Sequence, residues 1–245
     1  VGGTLATDDQ YEVRGLLSGP VSENFGLRAN VVAWGEDGFY RNAASGAMVG
    51  GGEGVGASLA ANWQPAEALS VKARVAWSDD EYDQRAVAVI PNDTILSLPE
   101  NAITSGAFPP SAALVPAAST YGSAAGKQVT YSENPLTGGE YPGTDLEILR
   151  GTLVIDWDWA GGLVSSYTGV TDADSTQFFD GDRIANGRPD ASNGNQELNW
   201  RTETRQVSQE LRWSSGWDGP FQLTLGGLYW HETRRQDDQS YVAFC

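Results

Sequence analysis

Apolar and polar side chains alternate with a period of two along most of this chain. The pattern is clear near the start, where Tyr11, Val13 and Leu17 are separated by charged or polar residues such as Glu12 and Arg14. A strand projects successive side chains to opposite faces, whereas an amphipathic helix needs apolar residues three and four positions apart. The charged residues would interrupt any such helical stripe. Residues 11–42 therefore predict a β-hairpin with one apolar face and one polar, charged face.

The predicted strands are joined by connections that alternate between short and long. Short turns are expected at 19–24, 64–68, 160–162 and 214–219, and longer loops at 41–52, 79–145 and 176–199. If the strands run up and down, this alternation places the short turns at one edge of the sheet and the long loops at the other. The two longest loops are of a length that is usually functional or a linker.

Aromatic residues lie near both ends of the apolar register. One row is expected beside the short turns and a second on the long-loop side, and together they comprise Tyr11, Phe25, Trp63, Trp77, Trp157, Trp213, Phe221 and Tyr229. A transmembrane β-strand needs about 9–11 residues, and aromatic girdles flank its apolar band. We interpret the two rows as a lipid-facing girdle. The sequence thus predicts an all-β fold, part of the wall of an antiparallel up-and-down transmembrane β-barrel.

The composition argues against several classes of function. The chain of 245 residues has a formal net charge of −17 and a pI near 4.2, which argues against binding to nucleic acid. Its single histidine, His231, and single cysteine, Cys245, provide no disulfide framework and no Cys/His metal cluster, so no metal or other cofactor is predicted. The sequence contains no apolar run of about 18 residues, so no transmembrane helix is predicted. Because the sequence opens and closes within the strand pattern, we expect it to be an internal fragment of a longer protein.

Several motifs resemble those of TonB-dependent outer-membrane receptors. Residues 11–20 (YEVRGLLSGP), followed by 37–42 (DGFYRN), look like the early barrel strands after the plug domain, and 62–80 look like the next hairpin. Residues 206–213 (QVSQELRW) and 219–230 (GPFQLTLGGLYW) are similar to the middle of the barrel. The order and spacing of these motifs extend the resemblance over most of the chain outside the two long loops. The most similar group contains proteobacterial siderophore and oligosaccharide receptors.

The resemblance implies a barrel of about 22 strands that is filled by an N-terminal plug. Residues 1–245 would form about nine of these strands, with short periplasmic turns and long extracellular loops, in the outer membrane of a Gram-negative bacterium. The implied partners are outer-membrane lipid, a plug domain of the same parent chain, the TonB complex acting through that plug, and a small-molecule ligand. That ligand would be a ferric siderophore, with an oligosaccharide or cobalamin as alternatives. An open wall has unpaired edges in lipid, so the fragment is not expected to transport anything alone.

Charged side chains follow the polar register, which the barrel interpretation turns towards the lumen. They are Arg14, Arg28, Lys72, Arg74, Arg150, Glu210 and Arg212. We expect these side chains to pair with one another across neighbouring strands or with the plug, and the alternative is that they steer an anionic ferric chelate. Ligand contacts are predicted instead at the long-loop side, where aromatic rings can stack on sugars or catecholates. The candidates there are Trp34, Phe39, Tyr40, Arg41 and Tyr82.

Two other functions are open on the residues alone. A secreted carbohydrate-binding β-sandwich also shows alternation and can present exposed tryptophans. A glycoside hydrolase needs paired carboxylates, and Asp156 and Asp158 would lie on one strand face about 7 Å apart. We expect a solvated lumen wall there and no enzyme activity. Acidic residues at 79–83 and at Asp172, Asp174, Asp180 and Asp182 suggest Ca²⁺, but they lack the spacing of a calcium loop, so no metal site is predicted.

Overall fold

A computed structural model of the chain describes residues 1–6, 9–38, 40–42, 45–84, 128–129, 134, 137–181 and 195–243, with the backbone alone described at 128–129, 195–196 and 241–243. Twelve strands lie in these ranges. They are β1 (Gly2–Leu5), β2 (Tyr11–Ser22), β3 (Phe25–Glu36), β4 (Tyr40–Asn42), β5 (Met48–Val49), β6 (Gly52–Ala66), β7 (Leu69–Tyr82), β8 (Gln128–Val129), β9 (Gly143–Trp159), β10 (Gly162–Asp180), β11 (Asn195–Ser215) and β12 (Thr224–Ala243). The described residues contain no helix that is long and apolar enough to cross a membrane.

Nine of these strands form one antiparallel sheet in which each strand pairs with its neighbours in the order β1-β2-β3-β6-β7-β9-β10-β11-β12. Since this order follows the chain, the strands run up and down without a crossover. The other three, β4, β5 and β8, form a small separate sheet within the long connections. The predicted all-β, antiparallel, up-and-down wall of about nine strands is confirmed.

The strands are longer than the sequence pattern predicted. Strands β7 and β9 include 79–82 and 143–145, and β10 and β11 include 176–180 and 195–199, all of which were expected in long loops. Backbone pairing continues here because it does not depend on apolar side chains, and the register runs unbroken from Gly162–Ser215 to Asp180–Glu197. One predicted strand residue, Phe221, lies instead in the connection before β12, which begins at Thr224. Residues 85–127, 130–133, 135–136 and 182–194 of the two longest predicted loops lie outside the described residues.

The two predicted sets of side chains lie on opposite faces of the sheet. We call the face that carries Tyr11, Phe25, Trp63, Trp77, Trp157, Trp213 and Tyr229 the apolar face, and the face that carries Arg14, Arg28, Lys72, Arg74, Arg150, Glu210 and Arg212 the polar face. Paired residues of neighbouring strands share a face, so an extra residue in one strand would exchange the faces beyond it. The described register shifts occur only at Pro20/Ser22 and Trp63/Ala66, beside the short turns, and the two faces stay distinct along the rest of the wall.

The apolar face is not covered by a second layer of the described chain. Leu59, Val75 and Leu211 on this face are 54%, 54% and 55% exposed. Among the described residues the buried hydrophobic side chains are only Val49 and Tyr141, and both lie outside the main sheet. A sandwich requires two sheets whose inner faces interdigitate. The β-sandwich alternative is therefore wrong for the part of the chain that the structure describes.

The aromatic side chains predicted on the long-loop side lie on a line that is oblique to the hydrogen-bonded rows. They are Tyr11 on β2, Trp77 on β7 and Tyr229 on β12. Followed from partner to partner as far as β3, these three positions arrive at Gly35, Val31 and Leu27. β2 and β12 are seven strand-to-strand steps apart. Over these steps the line moves by eight residues of β3 towards the short turns. The aromatic residues beside the short turns are shifted in the same direction. Phe25 of β3 pairs with Trp63 of β6, whereas the hydrogen-bonded row through Trp157 and Trp213 passes through Leu69, which is nearer to the short turn between β6 and β7.

Candidate ligand-binding site

A pair of aromatic side chains lies on the polar face close to the long-loop edge. Trp34 of β3 and Tyr82 of β7 have ring centroids 5.5 Å apart, although β6 separates their strands. The indole Nε1 of Trp34 also donates a hydrogen bond of 3.0 Å to Oδ1 of Asp80. Gly54 of β6 makes this possible, because a Cβ atom there would lie 2.1 Å from that carboxylate oxygen and 2.5 Å from the indole nitrogen.

Beside this pair is a cleft of about 460 Å³. Its lining comes from three neighbouring strands, β7, β9 and β10, and from the connection that contains β4 and β5: Tyr40, Gly50, Gly51, Tyr82, Asp83, Thr144, Leu146, Ser175 and Gln177. The volume lies within the usual range of small-molecule sites, about 300–1,000 Å³. Hydroxyl, amide and tyrosine groups predominate, so the cleft is suited to a polar ligand that has some aromatic or apolar surface.

Hydrogen bonds at the base of the long connections hold the rim of this cleft. The backbone N–H of Gly51 donates to Oδ2 of Asp83 at 3.1 Å, and the N–H of Asp83 donates to the carbonyl of Gly51 at 3.1 Å. In the same region Nδ2 of the buried Asn42 donates to both carboxylate oxygens of Glu140, at 3.0 and 3.1 Å. The rim is therefore built from ordered polar contacts of residues that are far apart in the sequence.

Asp83 has the most perturbed carboxyl group of the cleft. Partial desolvation raises the pKa of Asp83, the hydrogen bond from Gly51 lowers it, and the nearby carboxylates of Glu140, Asp37 and Glu53 raise it further, with a net upward shift from the usual 3.8. The negative form of the side chain is thus disfavoured at this position.

The stability of the protein should therefore depend on pH through Asp83. Because its pKa is higher in the folded than in the unfolded state, its contribution is fully present below about pH 3.8 and is lost as the pH rises through the raised folded-state pKa. In urea unfolding between pH 3 and pH 7, the free energy of unfolding of the wild type should fall relative to that of Asp83→Asn as the pH increases. Parallel profiles for the two proteins would contradict this assignment.

Further towards the short turns, the polar face carries a group of cations, which we call the cationic surface: Arg28, Lys72, Arg74 and Arg150. Arg28 and Arg74 line a shallow depression of about 450 Å³ together with Arg14. No carboxylate of the described residues lies within ion-pair distance of these four side chains. Four exposed cations without a counter-charge form an unusual surface in a chain whose net charge is −17.

The predicted cross-strand ion pairs among these charges are absent from the described part of the polar face. Arg28 and Arg74 both flank Ala60 of β6, whose polar-face side chains are small or neutral and supply no carboxylate. The ion pairs on this face run along single strands instead. Arg14 contacts Glu12 at 2.6 Å, and Arg212 contacts Glu210 in the same way on β11.

The structure brings together only part of the predicted ligand-contacting set. Trp34 and Tyr82 belong to strands and not to loops, and Tyr40 reaches the cleft from β4. Arg41 is in β4 as well, where its guanidinium donates to the carbonyl of Gly46 at 2.6 Å. Phe39 lies outside the described residues.

Sequence reasoning missed the cleft residues Asp83, Thr144, Ser175 and Gln177. The last three lie in strand segments that the pattern assigned to loops or to their margins. Their side chains are polar, so apolar alternation did not indicate a strand there. One available signal was the run of glycines at 50–52, because backbone carbonyls and amides approach Gly51 within 2.3–2.7 Å of where a Cβ would be. Such a position indicates tight packing of a connection on a strand end.

The acidic residues suggested for catalysis or for Ca²⁺ lie mostly on strands of the main sheet. Asp156 and Asp158 project from the polar face of β9. Asp156 accepts a hydrogen bond of 2.6 Å from Ser165. Among the described residues no group of three or more His, Cys, Asp or Glu side chains is arranged to hold a metal ion. Asp182 lies outside these residues.

Comparison with known proteins gives matches at the level of structure. No protein-family model matches the sequence, and no curated protein does. The chain matches the ferric yersiniabactin uptake receptor FyuA from Yersinia pestis with a TM-score of 0.65 and 14% identity, over 99% of this chain and 31% of that one. It matches P. aeruginosa FpvA bound to heterologous pyoverdines with a TM-score of 0.51 and 11% identity, over 98% and 28% of the two chains. For FpvAI in its complex with pyocin S2 the TM-score is 0.55 at 11% identity, over 98% and 27%.

This chain accordingly spans less than a third of the length of each of these proteins. At identities of 11–14% such matches establish a shared fold. The predicted fold, part of an antiparallel up-and-down barrel wall, is thereby confirmed.

Proposed function

We propose that the chain is a wall segment of a TonB-dependent receptor that imports a scarce nutrient across the outer membrane of a Gram-negative bacterium. The nutrient is a ferric siderophore in this proposal, and an oligosaccharide or cobalamin would use the same route. The apolar face contacts lipid and the polar face lines the lumen. The short turns are periplasmic and the long connections extracellular, so the cleft beside Tyr82 opens where a ligand arrives.

The oblique line of aromatic residues is the observation that best supports this proposal. With strands about 4.8 Å apart and a rise of about 3.4 Å per residue, the descent from Tyr11 to Tyr229 becomes level if the strands tilt by roughly 40°. Strands of membrane barrels tilt by about 35–45°. At that tilt the ten residue-to-residue rises from Phe25 to Gly35 span a height of roughly 26 Å. This matches the apolar band of such barrels, about 25 Å.

The cationic surface has a separate role in this proposal, which is to receive the plug. Its four side chains face the lumen without described counter-charges, and unpaired charges at a buried interface are costly. A plug with carboxylates at matching positions would satisfy them. This role accounts for the absence of cross-strand pairs better than attraction of an anionic chelate, because the cations lie far from the cleft.

Uptake of radiolabelled iron tests the proposal. The whole gene product would be expressed in a Gram-negative strain that lacks its own siderophore receptors, and ferric siderophores would be supplied with and without a functional TonB complex. We expect TonB-dependent uptake of at least one ferric chelate and recovery of the protein in the outer-membrane fraction. Recovery in a soluble fraction, or uptake that does not depend on TonB, would contradict the proposal.

Two tryptophans at the same edge provide matched variants for this experiment. Trp34→Ala removes a ring beside the cleft on the polar face, and it should reduce uptake at least about tenfold if the ring contributes as an interface hot spot. Trp77→Ala removes a ring on the apolar face and should leave uptake close to wild type. Equal losses in the two variants would indicate a general folding defect and not a role in ligand contact.

A further inference from the structure

The cleft at the long-loop edge has one carboxylate in its lining and others near that carboxylate. Asp83 lines it, and the carboxylates of Glu140, Asp37 and Glu53 act electrostatically on Asp83. Asp80 and Glu36 act in the same way on the hydroxyl of Tyr82, which also lines the cleft. These residues come from four separate parts of the chain, so the negative potential is a property of the assembled rim.

The described lining of the cleft contains no Lys or Arg side chain. Arg41 follows the lining residue Tyr40, but its guanidinium is bound to the carbonyl of Gly46. The groups available for direct contact are the hydroxyls of Tyr40, Tyr82, Thr144 and Ser175 and the amide of Gln177. Hydroxyls and amides recognise neutral polar groups, and a polyanion would need cationic donors for charge-assisted hydrogen bonds.

The cationic surface is too distant to reverse this balance. Arg74 lies eight residues from Tyr82 along β7, or about 27 Å, and Arg150 lies six residues from Thr144 along β9, or about 20 Å. Both separations exceed the Debye length at physiological ionic strength, about 8 Å. A ligand held in the cleft is therefore closer to the carboxylate of Asp83 than to the four cations of the cationic surface.

We propose that this cleft selects a ligand that carries no net negative charge, and that among ferric chelates it takes a hydroxamate-type complex and discriminates against a catecholate-type complex. This inference rests on the proposed uptake function and specifies its substrate class. Three hydroxamate groups neutralise Fe³⁺, and a pendant amine makes the complex positive. Three catecholates leave the complex with three negative charges, which the carboxylates of the rim repel.

Binding measurements on the whole gene product in detergent test this inference. The probes are the ferric complex of a linear trihydroxamate with a free amine and the ferric complex of a tris-catecholate, and the readout is quenching of tryptophan fluorescence at physiological salt. We expect the trihydroxamate complex to bind at least tenfold more tightly, which corresponds to about 1.4 kcal/mol. The ratio should decrease at high salt, where the rim is screened.

Variants that remove one charge with little change in side-chain size test whether the cleft causes the discrimination between the two chelates. Asp83→Asn retains an oxygen that accepts from Gly51 and should strengthen binding of the tris-catecholate severalfold, and Asp37→Asn should act in the same direction. Glu67→Gln, in the short turn between β6 and β7 at the opposite edge of the sheet, is the matched control and should leave the ratio unchanged. An unchanged ratio in both aspartate variants would overturn the assignment to this cleft.

The remaining outcomes separate this inference from the function on which it rests. If the tris-catecholate complex binds as tightly as the trihydroxamate complex or more tightly, the charge selection is wrong while siderophore uptake stands. If neither complex binds but TonB-dependent iron uptake is observed with another chelate, the hydroxamate assignment is wrong. If neither binds and no chelate is taken up, both proposals are wrong.

Discussion

Replacing Leu59 by arginine is expected to cost about 2–4 kcal/mol of folding free energy in a lipid bilayer, the measured range for arginine near the midplane of a barrel wall. Leu59 lies on the apolar face of β6, four residues from Trp63 towards the opposite edge, and it is 54% exposed in the sheet. On the proposed orientation that exposed surface contacts hydrocarbon, which cannot solvate a guanidinium. Urea unfolding of the whole gene product reconstituted in lipid vesicles measures the difference.

The neighbouring residue provides the control for this substitution. Ser58 lies on the polar face, where its hydroxyl accepts a hydrogen bond of 3.1 Å from Asn30. Ser58→Arg loses that bond but places the charge in a water-filled lumen, so we expect a cost of only about 1 kcal/mol. Equal costs for the two variants, or a greater cost at Ser58, would refute the assignment of the apolar face to lipid.

The sequence predicts the wall well because each strand fixes its faces locally. Once Tyr11 and Arg14 lie on opposite faces, antiparallel pairing transfers the assignment to Gly35 and Val32 and then from strand to strand. A bulge would exchange the two faces beyond it. In the described strands, bulges occur only next to short turns. Alternation therefore suffices for face, order and direction, whatever the ligand.

The strand ends and the cleft cannot be predicted from this alternation. Thr176 and Glu197 belong to strands because the neighbouring backbone is available to pair, which a side-chain pattern does not show. The cleft depends on contacts between residues such as Asn42 and Glu140, which are 98 positions apart in the sequence. Local periodicity carries no information about such contacts. Hence Trp34 and Tyr82 were recognised by residue type alone, and Asp83 was not singled out as a cleft residue.

Replacing Gly143 by alanine is the second substitution with a large expected effect, a loss of about 3 kcal/mol in the free energy of unfolding. Gly143 begins β9 at the base of the cleft and has a φ of 86°, which costs an alanine about 1–2 kcal/mol. Its Cβ would also lie 2.1 Å from the carbonyl oxygen of Tyr82 and 2.5 Å from the carbonyl carbon of Asp83. Both are backbone atoms of paired segments, so relief requires displacement of a strand end, which adds about 1–3 kcal/mol.

Gly138→Ala separates the two causes. Gly138 has a φ of 71°, but no atom lies within 4 Å of where its Cβ would be, so only the conformational cost of about 1–2 kcal/mol applies. Because Asp83 and Thr144 line the cleft on either side of the displaced contact, Gly143→Ala should also abolish chelate binding, while Gly138→Ala should preserve it. If both variants lose the same stability and both keep the ligand, close approach at Gly143 does not shape the cleft. A loss of binding confined to Gly143→Ala would mean that the backbone contact between the ends of β7 and β9 sets the geometry of the site.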